Sequence, residues 1–213
     1  MAVPTHVAAA LSGATYNQLV YWRSSRGGAA SLLVPEYRHG RTWLYSFRDV
    51  VALRTFAYLR EDVSLQKIRE AVRTLGDLGD AEHLSEYRLY AADGSVVWVP
   101  PDGDHVDLVA RRGQLRAGVV MRDVFGAFEN RGGRKVLPLL RPYRHITVDP
   151  QLRGGFPVVR DTRIPYDLVA SLVRAGTRSN QVRELYPAVS PAGARDAARM
   201  ADYVDRARGR QAA

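Results

Sequence analysis

The sequence predicts an α+β fold, and three observations predict it. Runs with helical spacing of apolar residues occupy both ends of the chain, short strand-forming runs separated by turn residues fill the middle, and no apolar run approaches bilayer-spanning length. The expected organisation is therefore a helical N-terminal region with a hairpin (residues 1–80), a small antiparallel β region (81–140) and a three-helix C-terminal region (141–213). At 213 residues the chain is long enough to bury a core without staples, and the absence of cysteine excludes disulfides, zinc ribbons and thiol redox chemistry.

The net charge of +9 is carried almost wholly by arginine, since Lys67 and Lys135 are the only lysines. Its distribution is uneven: residues 1–78 hold ten basic and six acidic side chains, 79–140 eight and nine, and 141–213 thirteen and seven. Two basic ends joined by a neutral middle suit polyanionic or acidic partners at both ends. The N-terminus lacks a basic stretch followed by an apolar one, so a cytoplasmic location with no membrane partner is expected.

In the first region Thr5 is expected to cap a helix through Leu11, with Ser12-Gly13 as the turn into a second helix. Thr15 caps that second helix from Tyr16 to about Arg23. Leu19 and Trp22 then face inward, while Tyr16, Asn17, Gln18, Tyr21 and Arg23 present polar or aromatic ends outward. Leu32 to Pro35 and Trp43 to Tyr45 read as two strands with Arg38, His39, Gly40 and Arg41 at the tip between them. Amide side chains read adenine edges, and Tyr and Arg hold phosphates, so this helix and tip together point to DNA. Ser46 and Asp49 open a further helix with Val50, Leu53 and Phe56 inside, leaving Arg48 and Arg54 for solvent or phosphate. Ser64 opens another, ended by Gly76 and Gly79.

LSGATYNQLVYW, LLVPE, LYSFRDVVALR and VSLQKIREAV, in this order over residues 5 to about 78, resemble the winged helix-turn-helix of the MerR family. The resemblance implies double-stranded operator DNA as partner, with Thr15, Tyr16, Asn17, Gln18, Tyr21, Arg23, Arg38, His39, Arg41 and Arg48 as the contacting residues. Val20 and Trp43 depart from it, standing where the family usually has arginines. A homodimer is expected, since one helix and one wing supply few contacts for tight specific binding.

In the middle region YRLYA and SVVWV flank Ala92-Asp93-Gly94, a strong hairpin signal. Strands near Val106–Ala110 and Gly118–Val120 extend the sheet, which is the expected dimerisation element. Asp102, Asp104, His105 and Asp107 have the composition of turn chemistry, and no cofactor or metal is expected. Met121 to Asn130 reads as an amphipathic helix and Arg131-Gly132-Gly133-Arg134 as a linker.

From Arg141 the sequence reads as a strand (HITVDP), a strand-turn-strand (GGFPVVRDTRIP) and three helices. Leu168, Val169, Leu172 and Val173 form the inner face of the first helix, Ser179 caps the second, and Ser190-Pro191 opens a third with an alanine stripe. The segment from about His145 to Val204 resembles the small VapB-type antitoxin module, on Gly154, Gly155, Pro157, Val158, Thr162, Arg163, Ile164 and Pro165. Asp161 departs from it, in place of the usual glycine. The resemblance implies a helix-turn-helix-like module and a PIN-like ribonuclease toxin as partner. Arg163 and a mobile basic tail with Arg206, Arg208 and Arg210 are the expected toxin contacts; for Arg163 alone the plainer reading is a hydrogen bond that holds its turn.

These readings converge on an antitoxin that neutralises a ribonuclease and represses its own operon. The alternative is a one-component regulator that answers to a small-molecule effector, without a toxin. An enzyme is not expected: the five histidines are scattered and no nucleophile motif is present.

Overall fold

The computed structural model describes residues 2–25, 31–78, 83–100, 105–109, 115–116 and 124–208. Gly79, Asp102, Asp104, Gly118–Val120, Met121 and Arg210, all of which entered the expectations above, lie outside the described residues. The fold is mixed α+β, with small antiparallel sheets among its helices.

Strand β1 (Val3–Pro4) leads directly into α1 (Thr5–Ser12). Pro4 holds the capping position and Thr5 is the first helical residue, so the expected Thr5 cap is not formed. Gly13 ends α1 at φ +85°, a conformation that glycine adopts without a Cβ penalty. Helix α2 (Tyr16–Trp22) follows, capped by Thr15 as the sequence predicts. The hairpin consists of β2 (Tyr37–His39) and β3 (Thr42–Tyr45), with β1 on the other side of β3. Leu32 to Pro35 is therefore not a strand. Leu32 and Leu33 are instead buried, and the Leu32 amide donates to the Trp22 carbonyl at 2.7 Å, which ties the loop to the end of α2.

Helix α3 (Phe47–Leu59) starts at a reciprocal cap between Ser46 and Asp49. Helix α4 (Leu65–Leu78) runs straight through Gly76, since a single glycine in a helix costs only about 1 kcal/mol. The middle sheet has the order β4 (Arg88–Ala92), β5 (Ser95–Val99), β6 (His105–Asp107), β7 (Leu115–Arg116). Asp93 and Gly94 both take positive φ in the β4–β5 turn, as an Asp-Gly hairpin requires.

Two expectations fail between Val124 and Val136. No helix forms over Val124–Asn130; Phe128–Glu129 is strand β8, paired with β9 (Lys135–Val136). Arg131 to Arg134 is the turn of that hairpin and not a linker. Asn130 holds it by accepting from the amides of Gly132 (3.1 Å) and Arg134 (3.0 Å), and its Nδ2 donates to the Gly13 carbonyl at 2.6 Å. Long-range hydrogen bonding thus overrides a ten-residue amphipathic pattern.

The reason lies in Arg54. Expected at the surface, it is fully buried in α3. Its guanidinium donates to the carbonyls of Leu11 (2.5 Å), Gly126 (2.5 Å), Leu137 (2.8 Å) and Val124, and it lies 4.9 Å over the Phe128 ring. A planar fork with five donors satisfies an irregular stretch whose carbonyls have no ladder to join.

In the last region β10 (Ile146–Thr147) pairs with β11 (Val158–Val159), and the return after the turn is a single bridge from Val158 to Pro165 rather than a strand. Asp161 takes φ +61° in that turn, the conformation the usual glycine would supply. Helix α5 (Tyr166–Arg174) buries Tyr166, Val169 and Ala170, while Leu168 is exposed, so its inner face is shifted by one position from the one expected. Helix α6 (Val182–Leu185) has no Ser179 cap; Arg178 and Gln181 make its entry turn, and Leu185 is exposed. Helix α7 (Pro191–Arg208) opens as predicted, with the Gly193 amide donating to Ser190 Oγ at 3.0 Å. It continues through Arg206 and Arg208 with Ala207 buried, so the expected mobile tail is helical at least to residue 208.

One core cluster runs from Val3 to Ala207. Its alanines let α1 and α7 approach closely: Ala8, Ala9 and Ala10 on one helix and Ala194, Ala197 and Ala201 on the other are all buried. Gly155 adds a second close approach, since a Cβ there would sit 2.9 Å from Cδ2 of Phe47.

Candidate nucleic-acid interface

Helix α2 owes its start to two reciprocal bonds. The Gln18 amide donates to Thr15 Oγ1 at 3.1 Å, and the Thr15 amide donates to Gln18 Oε1 at 2.7 Å. Leu19 and Trp22 are buried beneath it, Trp22 edge-on to Phe56 at 6.2 Å. Asn17, Gln18 and Tyr21 are exposed, and Tyr16 and Arg23 half-buried. The cap thus occupies the Gln18 side-chain oxygen and leaves its NH₂ group as the donor it can offer a ligand. Tyr21 is drawn towards α4: Arg69 Nη1 donates to its hydroxyl at 3.3 Å and lies 4.9 Å over its ring.

The link between α2 and the hairpin is a pair of arginines on Trp43. Arg23 lies 6.0 Å and Arg38 5.0 Å from the Trp43 ring centre, and Arg23 also donates to the Tyr45 hydroxyl at 3.3 Å. Burial pushes the Tyr45 phenol up despite that bond. Arg38 Nε donates to the Gly40 carbonyl at 2.9 Å, which turns the tip and leaves Arg41 exposed there beside His39. Trp43 thus serves as a platform that holds two cations. Arg48 differs from expectation, because it is ion-paired with Glu86 and its charge is already answered.

Close by, His83 Nε2 lies 3.3 Å from Asp49 Oδ1 and 3.4 Å from Glu36 Oε1, the one triad of metal-ligating geometry among the described residues. The Ser85 amide donates to His83 Nδ1 at 3.1 Å. That bond uses the Nδ1 lone pair, so Nε2 carries the proton and donates to the carboxylates. Asp49 in turn accepts from the amides of Ser46 (2.9 Å) and Glu36 (3.0 Å). The triad forms a hydrogen-bonded clasp between α3 and the segment before β4.

A cleft of about 620 Å³ opens where α2, the β8–β9 hairpin and the end of α7 meet. It brings Thr15, Tyr16 and Asn17 together with Arg206 and Arg208, which sequence reasoning assigned to different partners. Arg134 and Lys135 also line it, residues hidden from sequence reasoning because their turn looked like a linker. Burial pushes the Tyr143 phenol up, and the nearby Arg206 charge opposes that shift.

Arg163 is exposed and makes no hydrogen bond to a described residue. The turn it was expected to hold is closed instead by Thr162, whose Oγ1 donates to the Val159 carbonyl at 2.7 Å and accepts from the Ile164 amide at 3.0 Å. Asp196 of α7 anchors the start of this region, accepting from the His145 amide (3.1 Å) and lying 2.8 Å from its Nδ1. Residues 146–201 match DUF433, a protein family of unknown function. The DUF433 match covers about a quarter of the chain. No curated protein and no solved structure matches the chain. Among the described residues no helix is long and apolar enough to cross a membrane.

Proposed function

We propose that the chain is a sequence-specific double-stranded DNA-binding regulator of the winged helix-turn-helix type, with α2 as the reading helix and β2–β3 as the wing. The observation that carries this reading is the Arg23–Trp43–Arg38 cluster, which couples the reading helix to a wing with exposed Arg41 at its tip. Asn17 supplies the base contact and Arg38, His39 and Arg41 the phosphate contacts. The four-stranded sheet, whose β4 edge is unpaired in the described residues, joins two copies. The DUF433 segment docks a protein partner, a PIN-like ribonuclease toxin, through exposed Arg163, Leu168 and Leu185. The proposed role is that of an antitoxin that represses its own operon.

Gel-shift titration of DNA from upstream of the protein's own reading frame, over a range of salt, tests the DNA assignment. Asn17→Ala costs about 1–3 kcal/mol and relaxes preference at one base pair, whereas Arg41→Ala weakens all sequences alike and lowers the salt slope. Equal loss of specificity in both variants, or wild-type binding by both, overturns it. Co-expression of Arg163→Ala with the neighbouring gene product tests the partner, and unchanged complex formation removes Arg163 from that surface.

A second reading, a regulator governed by a small effector, is favoured by one observation, the cationic cleft beside α2.

A further inference from the structure

The cleft has an unusual charge balance. Four cationic residues, Arg134, Lys135, Arg206 and Arg208, line it, and no carboxylate among the described residues does. Arg134 is held in its wall by the carbonyls of Ala9 (3.3 Å) and Ala14 (3.1 Å). Lys135, Arg206 and Arg208 are exposed and have no acidic partner among the described residues.

This is not for want of acids on the same helix. Asp202 and Asp205 of α7 both pair with Arg174 of α5, each at 2.7 Å, and Asp196 is taken by His145, so the carboxylates of that helix are spent away from the cleft. The cations of its last turn face the cleft. Like charges brought together without a counter-charge repel, and an arrangement of this kind is stabilised by an anion. The lining also includes three tyrosines and two asparagines, with Tyr16 and Tyr143 half-buried. A volume of about 620 Å³ is several times what an inorganic phosphate fills and falls within the range of pockets for small organic ligands.

We propose that this cleft is a binding site for a nucleotide, with Lys135, Arg206 and Arg208 holding its phosphates and Tyr16 and Tyr143 flanking its base. Arginine forks take phosphate oxygens two at a time, and lysine adds a compact charge. Tyrosine faces accept a planar base by stacking. A duplex backbone fits the cleft less well, since its phosphates lie on an outer ridge and bring no exposed base to the tyrosines. The site is independent of whether the chain binds an operator.

Calorimetric titration of the full chain, without DNA or divalent metal, tests the assignment with ADP, GDP, adenosine and inorganic phosphate as probes. ADP or GDP is expected to saturate one site below about 100 μM, with adenosine and phosphate each at least about tenfold weaker. Lys135→Ala and Arg206→Ala each weaken the diphosphate by about tenfold or more. Both side chains are exposed, so the melting temperature is unchanged and a loss of binding is not a loss of fold. No saturation by either diphosphate below about 1 mM overturns the proposal, as does binding that both variants leave intact. Phosphate binding as tight as ADP binding overturns the nucleotide assignment in favour of a simple anion site. If the variants instead lower the salt slope of duplex binding and no nucleotide binds, the cations belong to the DNA surface and the proposal falls.

Discussion

The phenol of Tyr203 donates a hydrogen bond to the carbonyl oxygen of Ala10 at 3.0 Å, across 193 positions of sequence. The Tyr203 phenolic oxygen also accepts from the Leu137 amide at 3.3 Å, so one buried hydroxyl joins α7, α1 and the segment after β9. The alanine faces of α1 and α7 pack around this bond. Helix α7, whose first part lies in the DUF433 match, and α1 are therefore parts of one packed body, and three residues separate the end of α1 from the start of α2, the proposed reading helix.

Tyr203→Phe keeps the ring and removes the hydroxyl, leaving a buried carbonyl and a buried amide without their partner. A loss of about 1–3 kcal/mol is expected, read as a lower urea midpoint with an unchanged slope. A midpoint equal to wild type shows that water replaces the hydroxyl.

Two glycines are expected to respond in opposite directions. At Gly13 an added Cβ meets Val136 Cγ2 at 2.7 Å, and φ is +85°. Gly13→Ala is therefore destabilising by more than about 1 kcal/mol. Gly76 lies within α4 with nothing in the way of a Cβ. Gly76→Ala raises stability by about 0.4–1 kcal/mol. Thermal unfolding of both variants checks the pair, and the same sign for both contradicts the packing described for Gly13.

What could be read from the sequence was local. The Thr15 cap, the Ser46–Asp49 start, the Asp93-Gly94 turn and the Ser190-Pro191 helix start each rest on contacts within four residues, and each forms as expected. The Thr5 and Ser179 caps fail locally, and the larger failures are long-range. Arg54 looks like a surface residue until carbonyls more than forty positions away converge on it, and Val124–Asn130 looks helical until Arg54 takes its carbonyls. Around the candidate site, helix α2 and the β2–β3 tip were legible, whereas the cleft was not, because it needs α7 folded back onto α1.

Arg54→Met tests that convergence directly. Methionine fills much of the same volume but abandons four carbonyls, three of them in the Val124–Leu137 segment that has little ladder of its own. Each orphaned acceptor costs about 1–3 kcal/mol, so a total loss above about 3 kcal/mol is expected. Arg48→Ala is the control, since an exposed pair with Glu86 contributes under about 1 kcal/mol. Proteolysis followed by mass spectrometry adds a local reading: in Arg54→Met cleavage appears first near residues 124–137, and first cleavage elsewhere argues against a local role.

His6 gives the fold a pH dependence whose direction is fixed by where it sits. It lies half-buried in the first turn of α1, and burial, with the Arg208 charge opposing its protonation as well, lowers its pKa below the ordinary value of 6.5. Asp205 and Asp167 pull the other way and do not reverse the shift. Between the lowered folded value and 6.5 the unfolded chain binds more protons than the folded one, so this group makes stability rise with pH across that window. Its neutral form costs nothing above about pH 6.5, and the fold loses stability as the pH falls below it. Replacing the ring with a non-titrating amide removes that loss. Urea unfolding of wild type and His6→Gln at about pH 7.5 and about pH 5.5 isolates the effect, because His83, His145 and the carboxylates are common to both chains. The wild type is expected to lose more stability than His6→Gln over this interval, and equal losses would show that the imidazole is hydrated at the end of α7.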